Sequence, residues 1–101
     1  MKHLLRGIIE TRDVFLDDRR LDPARSQMER NHSPDGFSWG YGGSGCAQLA
    51  LAVLLEIYKD NKQKAIAEYQ AFKWDVISKL PQTDFEIDFD LPAEAEDANG
   101  K

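Results

Sequence analysis

Between Phe37 and Leu55 the chain runs three aromatics into a glycine-dense turn and the turn straight into an apolar helix, and no other stretch limits the possible folds as much. Gly40, Gly42, Gly43 and Gly45 take four of six consecutive positions. Glycine reaches backbone angles that side chains obstruct, so this density implies a tight path or a close approach of backbone to another element. Ser44 is placed to cap the following helix, its hydroxyl accepting from a free amide of the first turn, and Cys46 falls near the first helical positions. Ala47 to Leu55, apolar except for Gln48, marks that helix as the buried one. The run is far shorter than the ~20 apolar residues needed to span a bilayer.

The flanking sequence supplies the layers around this helix. His3–Ile9 and Val14–Leu16 read as short strands separated by polar Glu10-Thr11-Arg12-Asp13, with Asp17-Asp18-Arg19-Arg20 as a turn into Leu21. Pro23 ends that run, Ala24–Met28 allows a short turn of helix, and Asn31–Gly36 is a connecting loop. Phe37, Trp39 and Tyr41 alternate with small residues, which predicts a third strand with its rings on one face. A second long helix is predicted over Lys62–Leu80, where Ile66, Tyr69, Phe72, Val76, Ile77 and Leu80 recur at helical spacing before Pro81 stops it. Asp84–Leu91 then alternates acids with apolar residues, a half-buried strand with an acidic outer face that resists edge-to-edge pairing. The expected class is α+β: a small antiparallel sheet of three to four strands packed against two consecutive helices. Residues 1–91 form this single domain, and residues 92–101, without apolar period, form an acidic disordered tail.

Charge is unevenly distributed. The net charge is −5, yet residues 81–101 hold seven acids against Lys101 alone, so residues 1–80 are close to neutral. The acidic end disfavours direct nucleic-acid binding and suits a basic protein surface or simple solubility. One cysteine forms no internal disulfide, and it lacks the neighbours of a zinc site, so no metal or other cofactor is expected. With no signal-peptide pattern and no membrane span, the expected location is the cytoplasm.

The chemical motifs are sparse. Gly40–Gly45 matches G-x-G-x-x-G between a strand and a helix, but two helices follow where a dinucleotide fold needs a parallel strand, and no Gly-Lys-Ser/Thr is present. A weaker anion or ligand site survives at the helix start, built from His32, Gly42, Gly43, Ser44, Gly45, Gln48 and Lys73. Ser44 and Cys46 stand where a helix terminus activates a nucleophile, but only His3 and His32 could serve as base and no spacing ties either to them. No catalytic residue is therefore assigned. The alternative is a binding surface: Trp39, Tyr41 and Trp74 as an aromatic patch, with Asp84, Glu86, Asp88 and Asp90 spaced by about 7 Å along one strand face, close to the phosphate spacing of a nucleic-acid strand. The same residues also serve simpler roles, as core aromatics and as a solvated edge.

Asn31-His32-Ser33-Pro34, Gly36-Phe37, Trp39-Gly40-Tyr41, Gly43-Ser44-Gly45, Ala47-Gln48-Leu49-Ala50-Leu51, and Tyr69 with Phe72-Lys73-Trp74 together match N-H-S-P-x-G-F-x-W-G-Y-x-G-S-G-P-A-Q-L-A-L followed by Y-x-x-F-K-W. Over roughly residues 5–80 the chain thus resembles a family of small proteins carrying a domain of unknown function, met in phages, integrated mobile elements and bacterial genomes. Cys46 departs from the family's proline, a residue suited to a first helical turn because its missing amide is not needed there. The resemblance implies a small accessory protein of a phage or mobile element that acts by binding a host protein, as an inhibitor of host defence in the manner of anti-CRISPR proteins. The expected partner is a nucleic-acid-binding defence complex in the bacterial cytoplasm. The alternatives are a small-ligand, phosphate-binding or enzymatic domain using the Gly40–Gly45 turn, and a host regulatory or structural module.

Overall fold

The computed structural model describes residues 2–59 and 61–91; the tail expected over 92–101 lies outside the described residues. Strand β1 (Lys2–Ile8) is followed by β2 (Asp13–Leu16), the two-residue β3 (Arg19–Arg20), helix α1 (Pro23–Glu29), helix α2 (Ser44–Ile57), helix α3 (Lys62–Asp75), a 3-10 turn (Ile77–Lys79) and strand β4 (Phe85–Asp90). The strands form one antiparallel sheet in the order β3-β2-β1-β4. The class is α+β, as the alternation and helical periods imply.

The sheet is two-faced for the reason its sequence alternates. His3, Leu5 and Gly7 of β1 stand opposite Phe89, Ile87 and Phe85 of β4 on the inner face, while Lys2, Leu4 and Arg6 stand opposite Asp90, Asp88 and Glu86 on the outer one. Gly7 is needed here because a Cβ would collide with the ring of Phe85. That ring in turn meets Trp39 edge-on, the centroids 5.0 Å apart.

The hairpin from β2 to β3 is a two-residue turn, Asp17 (φ +51°) and Asp18 (φ +69°), the twist that best matches flanking strands. Asp17 tolerates this backbone because its carboxylate is used: Oδ1 accepts from the Leu4 amide at 2.9 Å and Oδ2 from His3 Nδ1 at 2.7 Å. The hairpin is thereby tied to β1.

Helix α2 is buried continuously from Gly45 to Leu55, packed against α1 and α3, with its side chains in one apolar cluster with Leu5, Val14 and Leu16 of the sheet. It starts one residue earlier than a Ser44 cap requires: Gly43 occupies the cap, with no side-chain bond, and Ser44 is the first helical residue. Helix α3 is capped by the Asn61 side chain, which accepts from the Lys64 amide at 3.1 Å.

Two expectations are corrected. Phe37–Tyr41 is not a strand, because its amides go singly to separate elements, Ser38 to Gly45 O at 3.1 Å and Gly40 to Ile77 O at 3.0 Å, so no ladder forms. Gly40, at φ +89°, also turns the chain, which leaves Phe37 and Trp39 in the core and sends Tyr41 outward. The helix expected to reach Leu80 ends at Asp75. A continued α-helix would aim the Ile77 carbonyl at Pro81, which has no N–H; that carbonyl instead accepts from Gly40.

The hydrogen bond from His3, and after it that from the Leu4 amide, holds the Asp17 carboxyl below its ordinary value. A lowered folded-state pKa contributes stability above the unfolded carboxyl's range, near pH 4, and this is lost as pH falls through the folded value. Asp17→Asn should therefore lower the urea midpoint at neutral pH, with the deficit shrinking in acid. A deficit unchanged by acid would show that the charge has no part in it.

Candidate functional site

The glycine turn is a packing seat for aromatic rings. A Cβ at Gly42 would collide with the indole of Trp74, one at Gly43 with the ring of Tyr41, and one at Gly45 with Ser38. Each glycine thus admits a neighbour that any other residue would push away. Trp74, 55% exposed, and Tyr41, 48% exposed, flank this turn with their rings braced against backbone and open to solvent. Lys73 is buried beside them, its ammonium 4.3 Å from the Trp74 ring centre and 3.5 Å from Gly42 O. Trp39, the third aromatic of the expected patch, is in the core and donates from Nε1 to Thr83 O at 2.9 Å.

The polar run Asn31–Pro34 is held by one side chain. Gln48, fully buried on α2, accepts with Oε1 from the His32 and Ser33 amides at 2.8 and 2.9 Å. Its Nε2 donates to Ser26 Oγ and Arg30 O, both at 2.9 Å. The loop, α1 and α2 are thus joined by a single amide whose capacity is filled. His32 continues the seam to α3 through Nε2 and the Tyr69 hydroxyl, 2.7 Å apart.

The residues of the expected ligand set therefore fall into separate environments. Gln48 and His32 are bonded inside the loop seam, Lys73 lies under Trp74, and Gly42, Gly43 and Gly45 receive neighbouring side chains. Ser44 is exposed at the helix start, and Cys46 is a buried free thiol. Among the described residues no group of three or more His, Cys, Asp or Glu side chains could hold a metal ion. No described helix is long and apolar enough to cross a membrane.

The acids of β4 are likewise divided. Asp84 accepts from the Ile9 amide at 2.7 Å and closes the end of the sheet. Glu86 and Asp90 stand across from Arg6 and Lys2, so the outer face interleaves both signs of charge. Beyond Glu86 the row continues through Arg6, whose guanidinium lies 4.5 Å over the Phe15 ring, to Arg20 on β3.

Residues that sequence reasoning passed over include Arg12 and Ser38. Arg12 sits in the β1–β2 turn at φ +64°, a region arginine enters at a cost, and donates from Nε to Ile9 O at 3.1 Å and from Nη1 to Ser38 Oγ at 3.0 Å. A lone arginine in a polar turn carries no periodicity, and no signal in the chain marks it.

Replacing Gln48 with leucine leaves the half-buried Ser33 amide without a partner and takes one of two bonds from three other groups: the His32 amide and Arg30 O, which remain bonded to each other at 3.2 Å, and Ser26 Oγ, which still donates to Pro23 O. At about 1–3 kcal/mol for a buried group left without a partner, the variant should lose about 1–3 kcal/mol in urea unfolding. A loss under about 1 kcal/mol would show that water satisfies the loop as well as Gln48 does.

Neither the curated proteins nor the solved structures include a match to this chain. A protein-family model described as a family of unknown function, DUF6166, matches residues 6–95, from the end of β1 through β4. The chain belongs to that family.

Proposed function

We propose that this protein acts by binding another protein, through a surface centred on Trp74 and Tyr41. The observation that carries this reading is the pair of large aromatic rings braced on Gly42 and Gly43 yet about half exposed, while the polar groups around them are turned to internal bonds. Tryptophan and tyrosine are the residues on which binding energy concentrates at protein interfaces. A ring already held in place loses little freedom when a partner covers it.

The narrower form of the proposal is an accessory protein of a phage or mobile element that binds a host defence complex as an inhibitor. The shared motif supports that setting, and the excess of acids toward the C-terminal end suits a basic target. Mimicry of a nucleic-acid strand by β4 draws less support, since Arg6 and Lys2 stand among its acids. The enzyme reading draws none from Cys46, which is buried among apolar side chains.

Capture from host lysate with the full chain should retain one protein stoichiometrically. Trp74→Ala and Tyr41→Ala should each abolish retention while changing unfolding stability by no more than about 1 kcal/mol, as expected for exposed sites. Gly42→Ala displaces the indole without removing it and should weaken retention by a smaller factor. Retention unaltered in the Trp74→Ala/Tyr41→Ala double variant, or no retained protein at all, would overturn the proposal.

A further inference from the structure

We propose that Arg12, Ser38 and Tyr41 form a binding pocket for a small oxyanion, a carboxylate or phosphate group. The pocket lies between the β1–β2 turn and the aromatic segment, with Ile9, Arg12, Ser38, Trp39, Tyr41 and Gln82 as its walls and a volume of about 230 Å³. That is smaller than a cofactor site and fits one charged group of a larger molecule.

Its walls present donors and no carboxylate. Arg12 spends two of its five N–H groups, on Ile9 O and Ser38 Oγ, and makes no ion pair among the described residues. Ser38, buried, accepts from Arg12, and its hydroxyl proton has no acceptor among the described residues. Tyr41 lines the same wall. Gln82 is tied back to Gly40 O at 3.2 Å and closes the rim. Outside the pocket, the Asp84 carboxylate is engaged by the Ile9 amide and that of Asp13 by Thr11 and Arg20.

The guanidinium is also held in position. Two hydrogen bonds fix its plane, and the Trp39 ring lies 6.0 Å from Cζ. An arginine at φ +64° occupies a turn position where glycine or asparagine would rest without strain. Strain of this kind, with a charged group presented by it, marks a position kept for the side chain rather than for the backbone. The pocket between β3 and α2 makes the contrast: Arg20 and Arg25 line it, but so does Glu56, whose carboxylate takes Arg19, Arg25 and Lys59.

The site shares Tyr41 with the proposed protein-binding surface but does not include Trp74. Its test is titration of the full chain with inorganic phosphate and, separately, with acetate, against sodium chloride at matched ionic strength, followed by amide and indole NMR signals. Phosphate or acetate should shift the Ser38 amide and the Trp39 indole N–H along a saturating curve that chloride does not reproduce. Arg12→Gln should weaken the better anion at least tenfold and Arg12→Lys, which keeps the charge without the fork, by a smaller factor. Trp74→Ala should leave the curve unchanged. Phosphate bound at least tenfold tighter than acetate identifies a phosphate ester as the source, and the reverse a carboxylate of a peptide or metabolite. Shifts that do not saturate, or that survive Arg12→Gln, would overturn the proposal.

Discussion

The Gln48 side-chain amide is the interaction on which the arrangement of the other parts depends. Burying a polar group in the middle of an apolar helix is costly unless every donor and acceptor finds a partner. Here all four bonds are made, and each goes to a segment that has no hydrophobic stripe of its own: the end of α1, Arg30, and the His32–Ser33 backbone. A loop rich in turn formers is thus given one position relative to α2. Its far end, Phe37, then enters the core at a defined place, and the glycine turn follows from there.

The second constraint is close approach. Gly7 admits Phe85, Gly42 admits Trp74, Gly43 admits Tyr41 and Gly45 admits Ser38. In each case the missing Cβ is volume that a neighbour occupies, so the glycines of this chain act less as flexible joints than as recesses. Among the described glycines only Gly36 and Gly40 use positive φ. The consequence for function is that Trp74 and Tyr41 are exposed but seated, which is the condition under which a surface aromatic binds well. The chemistry nearby is spent on structure: His32 on Tyr69, Lys73 on the Trp74 face, Asp84 on the Ile9 amide, Asp17 on His3 and Leu4. The guanidinium of Arg12 keeps unused donors beside a pocket without acids, so the two proposed surfaces share Tyr41 and differ in kind.

Much of the fold was legible in the chain because it rests on local patterns. The alternation in residues 84–91 gave a strand with the acids outward, the unbroken apolar run gave the central helix, and Pro23 and Pro81 bounded their segments. The reading failed where a local pattern met a tertiary demand. Alternating aromatics at 37–41 suggested a strand, but their backbone groups answer to α2 and the 3-10 turn. The period of α3 continued past Asp75, but the Ile77 carbonyl was claimed by Gly40. The roles of Gln48 and Arg12 had no local signature, since a glutamine in an apolar helix and an arginine in a turn look alike whether bonded or free.

The sequence by itself determined strands β1, β2 and β4, helix α2 and the start of helix α3, and their order, because hydrophobic period, proline and glycine act over a few residues and need no knowledge of what lies across the core. It determined that the central helix is buried and that residues 1–80 are nearly neutral. Only the tertiary structure decided which aromatic goes inside, which polar groups are satisfied internally, and which acids of β4 face Arg6 and Lys2. Those outcomes depend on contacts between residues far apart in the chain, such as Trp39 with Thr83 or His32 with Tyr69, and no local pattern encodes the partner at the other end.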